Sequence, residues 1–298
     1  MKRVAFLSID SLDAFVCYDH LLEAPLRALG WEVETVSWHR QDISWQDYDA
    51  VLIRSTWDYQ DNPEAFLKAL EAIEDSGAHL ENPLELVRWN LHKGYLRDLE
   101  RQGIRVVPTL FRDAGSPLNL DDAFADAGVS ELVIKPAISA NADQTFRLTP
   151  ETAKARHQEL QRVFKERDAL IQPYFPAIAT EGEFSVFFFG DTFSHAILKT
   201  PKTDDFRVQE EHGGHLQAIE PEPWLLEAAE EALSAIRPRP LYARADFVRD
   251  TGLPGASGDF YLMEMELIEP SLYFNLDPDS PARFARVFHA WMDPFPSE

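Results

Sequence analysis

Three carboxylates near the C-terminus are the first residues whose types and spacing point to chemistry: Asp246 within 241–250, and Glu264 and Glu266 within 260–274. Both stretches alternate charged residues with aromatic and aliphatic ones, and a Gly- and Pro-containing turn separates them, so they read as paired strands. Residues two apart on a strand share a face, which sets Glu264 beside Glu266 with Asp246 across from them. Carboxylates gathered this way repel one another unless a hard cation neutralises them. Mg²⁺ fits, because it takes oxygen ligands and shares them with phosphates. The competing reading is a plain solvent face on an acidic chain. The apolar residues on either side, Phe260 to Met263 and Leu267-Ile268, favour a covered strand with a site at its edge.

Basic residues form a second set. Lys135 ends the apolar run Leu132-Val133-Ile134, and a lysine drawn partly out of water is tolerable where it meets a phosphate. The small residues after it, 137–144, offer backbone amides and Ser139 as a cradle for phosphate oxygens, although the loop has no glycine. Lys199, Lys202, Arg207, Gln209 and His212 cluster just before Gly213-Gly214, a local exception in an acidic protein that suggests anion capture. The plainer alternative is that these bases neutralise Asp204, Asp205, Glu210 and Glu211. Arg54, at the end of an apolar stretch, is a candidate clamp for a substrate carboxylate because its fork binds two oxygens. A surface arginine paired with Asp58 or Asp61 is the equal alternative.

The run Glu264-Met265-Glu266-Leu267-Ile268-Glu269-Pro270-Ser271 resembles the metal-binding strand of the ATP-grasp superfamily, with Glu266 where that pattern usually has Asn. Val133-Ile134-Lys135-Pro136 is similar to its nucleotide-binding lysine strand, and Ile104-Arg105-Val106-Val107-Pro108-Thr109 to the segment that leads into its nucleotide-binding part. The resemblance implies two Mg²⁺ ions, with Mn²⁺ an acceptable substitute, on Asp246, Glu264 and Glu266. It implies ATP phosphates on Lys93 and Lys135, with the loop at Ser139 closing over them. It implies adenine at a hinge of Gln172, Tyr174 and Phe175, with Glu183 toward the ribose or adenosine. A basic loop holding Lys199 and Arg207 would meet phosphate and acceptor, Arg207 and then Arg244 facing the developing charge, with Arg54 and Ser271 on the substrate side. Asp205-Phe206-Arg207 through Gly214, with the Glu264 run, looks similar to the branch that closes the D-cycloserine ring. The activity implied is a carboxylate–amine ligase acting through an acyl phosphate on a small amino-acid-like molecule, joined to another or cyclised. A phosphotransferase and a non-catalytic nucleotide-binding regulator are the alternatives.

The elements that must position these residues alternate through residues 1–110. Strands at 2–9, 31–38 and 48–55 are separated by helical stretches at 18–29 and from Asn62-Pro63 to Gly77, which implies a small parallel sheet. Ligands gather beyond the C-terminal ends of such strands, where Ser8, Asp10, Arg54, Ser55 and Asp58 fall. No Gly-x-Gly-x-x-Gly follows the first strand, so a dinucleotide fingerprint is absent. Helices are expected from Thr149 through Glu166, over 220–236 and over 281–291. The expected class is α/β (α+β) with the ATP-grasp fold: an N-terminal α/β domain at 1–108, a small lid subdomain at 109–175 and a metal-bearing subdomain at 176–298.

A net charge of −23 argues against nucleic acid and anionic membrane as partners, and 45% hydrophobic residues mark a globular chain. One cysteine, Cys17, allows no intrachain disulfide, and no apolar run is long enough to span a bilayer. The expected location is the cytoplasm; a homo-oligomer stays open.

Overall fold

The computed structural model describes residues 1–203, 205–253 and 255–292. Asp204, one of the acids weighed against the basic cluster, lies outside the described residues.

Three sheets make up the molecule. The first is parallel, in the order β2-β1-β3-β4, from β1 (Lys2–Ser8), β2 (Trp31–Ser37), β3 (Ala50–Ser55) and β4 (His79–Glu81). β3 is buried along its whole length and β1 from Val4 onward, which is why both read as unbroken apolar runs rather than alternating ones. Helix Pro63–Asp75 covers one face. Its start is fixed by Asn62, whose side chain accepts from Ala65 N, and by Pro63 at the first position; Gly77 leaves it at φ +86°. The stretch expected as one helix at 18–29 divides into a 3-10 turn, Asp19–Leu22, and a short helix, Glu23–Ala28.

The second sheet is small and antiparallel, in the order β5-β8-β6-β7, from β5 (Leu110–Arg112), β6 (Leu132–Pro136), β7 (Phe146–Leu148) and β8 (Ala169–Pro173). Its own core, including Phe124, Ile134, Phe164 and Ile171, lies under helices Leu120–Ala127 and His157–Val163. The helix expected through Glu166 starts at a Thr149 capping box but breaks at Arg156 into two pieces.

The third sheet, antiparallel, carries the site. Its order is β11-β10-β9-β12-β13, from β9 (Glu183–Phe189), β10 (Thr192–Thr200), β11 (His215–Ile219), β12 (Tyr242–Arg249) and β13 (Phe260–Glu266). Helix Pro223–Ser234 packs on one face, and helix Ser280–Met292 joins the far end to the parallel sheet through Trp31 and Phe288. Among the described residues no helix is long and apolar enough to cross a membrane.

A β-bulge decides which residues of β13 face the site. Asp246 pairs with Glu264 but Phe247 pairs with Leu262, so Met263 is the extra residue. Before the bulge the even positions Phe260 and Leu262 enter the core; after it the odd positions Met265 and Leu267 do. Tyr261 and Met263 therefore share the opposite face with Glu264 and Glu266, which strict alternation forbids.

The outer edge of β13 is closed by borrowed partners, so it offers no open strand. Val107 N donates to Leu262 O (3.0 Å) and Leu262 N to Arg105 O (2.8 Å). Met265 N donates to the Tyr95 hydroxyl (2.8 Å). Asn90, fully inside, donates to Met265 O (2.8 Å) and accepts from Leu267 N (3.0 Å). Asn82 does the same across the neighbouring loops, donating to Tyr242 O and Leu267 O and accepting from Leu241 N.

Candidate functional site

One face of the third sheet carries a row of charges set by register. Lys199 of β10 pairs with Glu183 of β9, Ser185 of β9 with Asp246 of β12, and Asp246 and Arg244 with Glu264 and Glu266 of β13. The small sheet lies over this face, and the space between the two is a cavity. Lys93, Lys135, Ser139, Gln172, Tyr174, Phe175, Glu183, Lys199, Arg207, Arg244, Glu264, Glu266 and Ser271 all line it.

Most charges in the row are already matched. Lys199 pairs with Glu183 and lies 3.3 Å from Asp246. Arg244 donates to Asp246 from Nε and Nη2 and also pairs with Glu266, while its Nη1 reaches Ser271 O at 3.3 Å. Lys93 pairs with Glu264 at 2.8 Å and donates to Ser139 O at 2.7 Å, so one ammonium ties the acidic strand to the loop after β6.

Asp246, expected as a metal ligand, stands behind the cavity lining. Ser185, Lys199 and Arg244 all donate to its carboxylate. Burial works to raise its pKa, but Arg244 and Lys199 outweigh it and carry the value down to about 2. A cation reaches Asp246 only by displacing one of these contacts. Glu266 goes the other way: burial outweighs Arg244 and pushes its carboxyl up to about 7. Glu264 is held below its ordinary range because Lys93 and Lys135 overcome the cost of burial. Among the described residues no set of three or more His, Cys, Asp or Glu is grouped as a metal-ion cage. Two cavity-facing carboxylates fit Mg²⁺ of the phosphate-dependent kind, which takes one or two carboxylates and fills its octahedron with phosphate oxygens and water.

Two buried ionisable groups in the cavity have no oppositely charged partner within ion-pair distance among the described residues. One is Lys135, at the end of β6, 9% exposed and with its pKa lowered chiefly by burial. The other is Glu269, also 9% exposed, pushed up to about 8 by burial and by Glu266.

The loop at 137–144 solves its lack of glycine by force. Asn141, Ala142 and Gln144 all take positive φ, at 50°, 56° and 49°. Across from it the basic loop is tightened at Gly214, where a Cβ would lie 2.0 Å from Val208 O. His212 Nε2 lies 3.3 Å from Asn141 O, linking the two loops. Arg207 is held in a fork by Asp205, with Nε to Oδ1 at 3.1 Å and Nη2 to Oδ2 at 2.9 Å, and it still lines the cavity.

At the hinge, the Gln172 amide donates to Thr109 Oγ1 (2.9 Å), and the Arg147 guanidinium lies 3.7 Å from the centre of the Tyr174 ring. Tyr174 and Phe175 belong to an apolar cluster with Val107 and Ile178, a flat greasy end to an otherwise charged cavity.

Arg54 is a correction. Instead of a substrate clamp or a surface arginine paired with Asp58 or Asp61, it is 1% exposed, outside the cavity lining and paired with Asp19 at 3.0 Å. The cause is placement within β3, every residue of which is buried. Its Nη2 donates to Pro270 O at 3.2 Å, so it supports the loop after β13 rather than a ligand. Sequence reasoning passed over Trp57, Tyr59, Asn90, Tyr95 and Glu269, all cavity-lining. Glu269 had a signal, since it closes the acidic run three residues after Glu266. Trp57 and Tyr59 had one too, since they follow the C-terminal end of β3, whereas Asn90 and Tyr95 have none, being ordinary amide and aromatic residues far away in sequence.

Comparison with known proteins adds four findings. The family model for the N-terminal domain of the D-cycloserine synthetase DcsG matches residues 4–82. The cycloserine biosynthesis protein DcsG of Streptomyces lavendulae is 29% identical, over 97% of this chain and 98% of that one. The crystal structure of the D-cycloserine synthetase DcsG superposes with a TM-score of 0.86 at 27% identity, covering 97% of this chain and 99% of that one. The ATP-grasp ligase PsnB, in a complex with a precursor variant, Mg and ADP, has a TM-score of 0.67 at 17% identity over 97% and 98% of the two chains, which shows the fold.

Proposed function

We infer that this chain, an ATP-dependent ligase with the ATP-grasp fold, joins the carboxylate of a small amino-acid-like substrate to an amine through an acyl phosphate. The observation that carries the reading is Lys135. It is a buried ammonium with no carboxylate within ion-pair distance among the described residues, set between a greasy hinge and an acidic strand, where a nucleotide triphosphate would supply close negative charge.

In this reading the adenine lies against Tyr174 and Phe175, and the ribose points toward Glu183. Lys93, Lys135 and the amides around Ser139 take the phosphates. Glu264 and Glu266 are the residues that would hold Mg²⁺, and Asp246 is the anchor that fixes Arg244 and Lys199 beside them. When bound, the metal offsets charge on the triphosphate. We place two ions here, with Mn²⁺ able to substitute. A substrate carboxylate oxygen attacks the γ-phosphorus, the bond to the β–γ bridging oxygen breaks, and ADP leaves. The amine then attacks the acyl carbon, the C–N bond forms, the bond to phosphate breaks, and the amine loses a proton. Arg207, preset by Asp205, and the Nη1 of Arg244 face the charge that builds on the transferred group, and a donor fixed before reaction needs no reorganisation. Ser271 belongs to the substrate end. The two loops joined at His212 and Asn141 cover the site and keep water from the acyl phosphate.

Similarity to a D-cycloserine synthetase supports a substrate whose own amine or a second molecule's amine is the acceptor. We assign the substrate-side domain to 1–108, the lid to 109–175 and the metal-bearing subdomain to 176–298, working in the cytoplasm. The test is ADP release from Mg²⁺-ATP with a panel of amino acids and dipeptides, with and without hydroxylamine. Carboxylate-dependent release with hydroxamate formed supports the reading. ATP consumption that yields a stable phosphorylated alcohol, or no carboxylate dependence, contradicts it.

A further inference from the structure

Glu269 is a buried carboxyl of the cavity, and the proposed ligase chemistry gives it no role. Its neighbours are specific. The Tyr59 hydroxyl interacts with its carboxylate, and Trp57 Nε1 donates to its backbone carbonyl at 3.0 Å. Arg54, itself inside the core, holds the next carbonyl, Pro270 O. Two side chains from the C-terminal end of β3 and the turn after it thus fix the backbone on which Glu269 sits. Trp57, Tyr59, Glu269 and Ser271 line the same cavity as Lys135.

Every other buried or half-buried carboxylate of the cavity and of the row behind it has a cation among the described residues: Lys199 for Glu183 and Asp246, Lys93 for Glu264, Arg244 for Glu266. Glu269 has aromatic walls and a hydroxyl instead. A buried carboxylate beside aromatic residues, with no cation of its own, matches an ammonium group, which gains a charge-assisted hydrogen bond and the attraction of the ring faces. Its place along the cavity is also defined. Met263 packs with the hinge cluster, Glu264 and Glu266 follow, and Glu269 comes after them, beyond the end of β13 and away from the hinge.

Resting on the ligase reading, we propose that Glu269, with Trp57 and Tyr59, forms the subsite that binds the α-ammonium group of the carboxylate substrate. The subsite selects amino acids over simple carboxylic acids, and it holds the carboxylate toward the γ-phosphate. Lys135 and Glu269 are then complementary: one unpaired charge for the nucleotide, one for the substrate.

The test compares kcat/KM for ATP-dependent hydroxamate formation with each member of a panel of D- and L-amino acids and with its des-amino acid. The enzymes are wild type, Glu269→Gln and Glu269→Asp. Wild type is expected to prefer the amino acid by about 100-fold, within the range of a hydrogen bond to a charged group. Glu269→Gln, which keeps shape and loses charge, is expected to cut that preference to about 10-fold or less, mainly through KM, while activity on the des-amino acids stays within about 2-fold. Glu269→Asp is expected to restore part of the preference. Nucleotide affinity by calorimetry reports the fold of each variant. A preference retained in Glu269→Gln, or absent from wild type, overturns the subsite and leaves the ligase reading standing. No hydroxylamine-dependent ADP release with any carboxylate overturns the ligase reading and the subsite together.

Discussion

Lys135 is the residue where stability and activity pull apart. A buried cation with no ion-pair partner among the described residues costs desolvation, so Lys135→Met is expected to stabilise the fold by on the order of 1 kcal/mol and to raise the melting temperature accordingly. In the proposed function Lys135 meets a phosphate of ATP, so the same change is expected to lower kcat/KM for ATP by about 10²–10³. Thermal melts and steady-state kinetics on one preparation check both. A variant that is destabilised and fully active contradicts the assignment. His195 gives a second prediction, away from the site. Its ring is buried, stacks on Phe187 with centroids 4.2 Å apart, accepts from Ser194 at Nδ1 and donates from Nε2 to Leu272 O. Burial lowers its pKa to about 4. Because the folded value lies below the unfolded one, the unfolded chain binds the proton first as pH falls from about 6.5 toward 4, and stability is lost across that window. Urea unfolding is expected to show that the pH 7 to pH 5 loss is smaller in His195→Gln by about 2 kcal/mol. Identical losses in the two proteins contradict the buried neutral ring. Lys135 was legible in the sequence because an apolar run that ends in lysine and proline leaves few other structures. Arg54 was not: a guanidinium inside β3 needs Asp19, and nothing in the sequence brings that residue to it.

At the scale of elements, β13 is held in register by side chains that behave like a neighbouring strand. Asn90 supplies both a donor and an acceptor to the backbone on either side of Glu266. Asn90→Ala leaves Met265 O and Leu267 N buried without partners and is expected to cost about 2–4 kcal/mol. It is also expected to weaken Mg²⁺-dependent nucleotide binding, measured by calorimetry with and without the metal. Loss of stability with unchanged metal dependence contradicts a positioning role. The two acidic strands could be read from alternation and the turn between them. The bulge at Met263 could not, since Tyr261 to Glu266 carries apolar and acidic residues that fit either parity. Only packing, with Leu262 and Met265 entering one core, shows where the parity changes. The glycine-free loop raised doubt in the sequence for a sound reason, and the three residues at positive φ are how the chain meets it.

Across the whole molecule, a chain of net charge −23 builds a cavity in which buried lysines and arginines answer buried acids almost one for one. The parallel sheet was legible because apolar runs alternate with helical stretches through residues 1–110, and the rest of the fold class came from motifs such as Val133-Ile134-Lys135-Pro136 and the Glu264 run. How the sheets enclose one cavity was not, because Asn82, Asn90 and Tyr95 bind strands from 160 or more residues away. The proposed chemistry turns on transfer of the γ-phosphoryl group to a substrate carboxylate. The most direct measurement uses a substrate with both carboxylate oxygens labelled with ¹⁸O and follows the label by mass spectrometry after turnover with Mg²⁺-ATP. An acyl phosphate leaves one labelled oxygen in each inorganic phosphate released. Unlabelled phosphate, or label found in AMP, contradicts it.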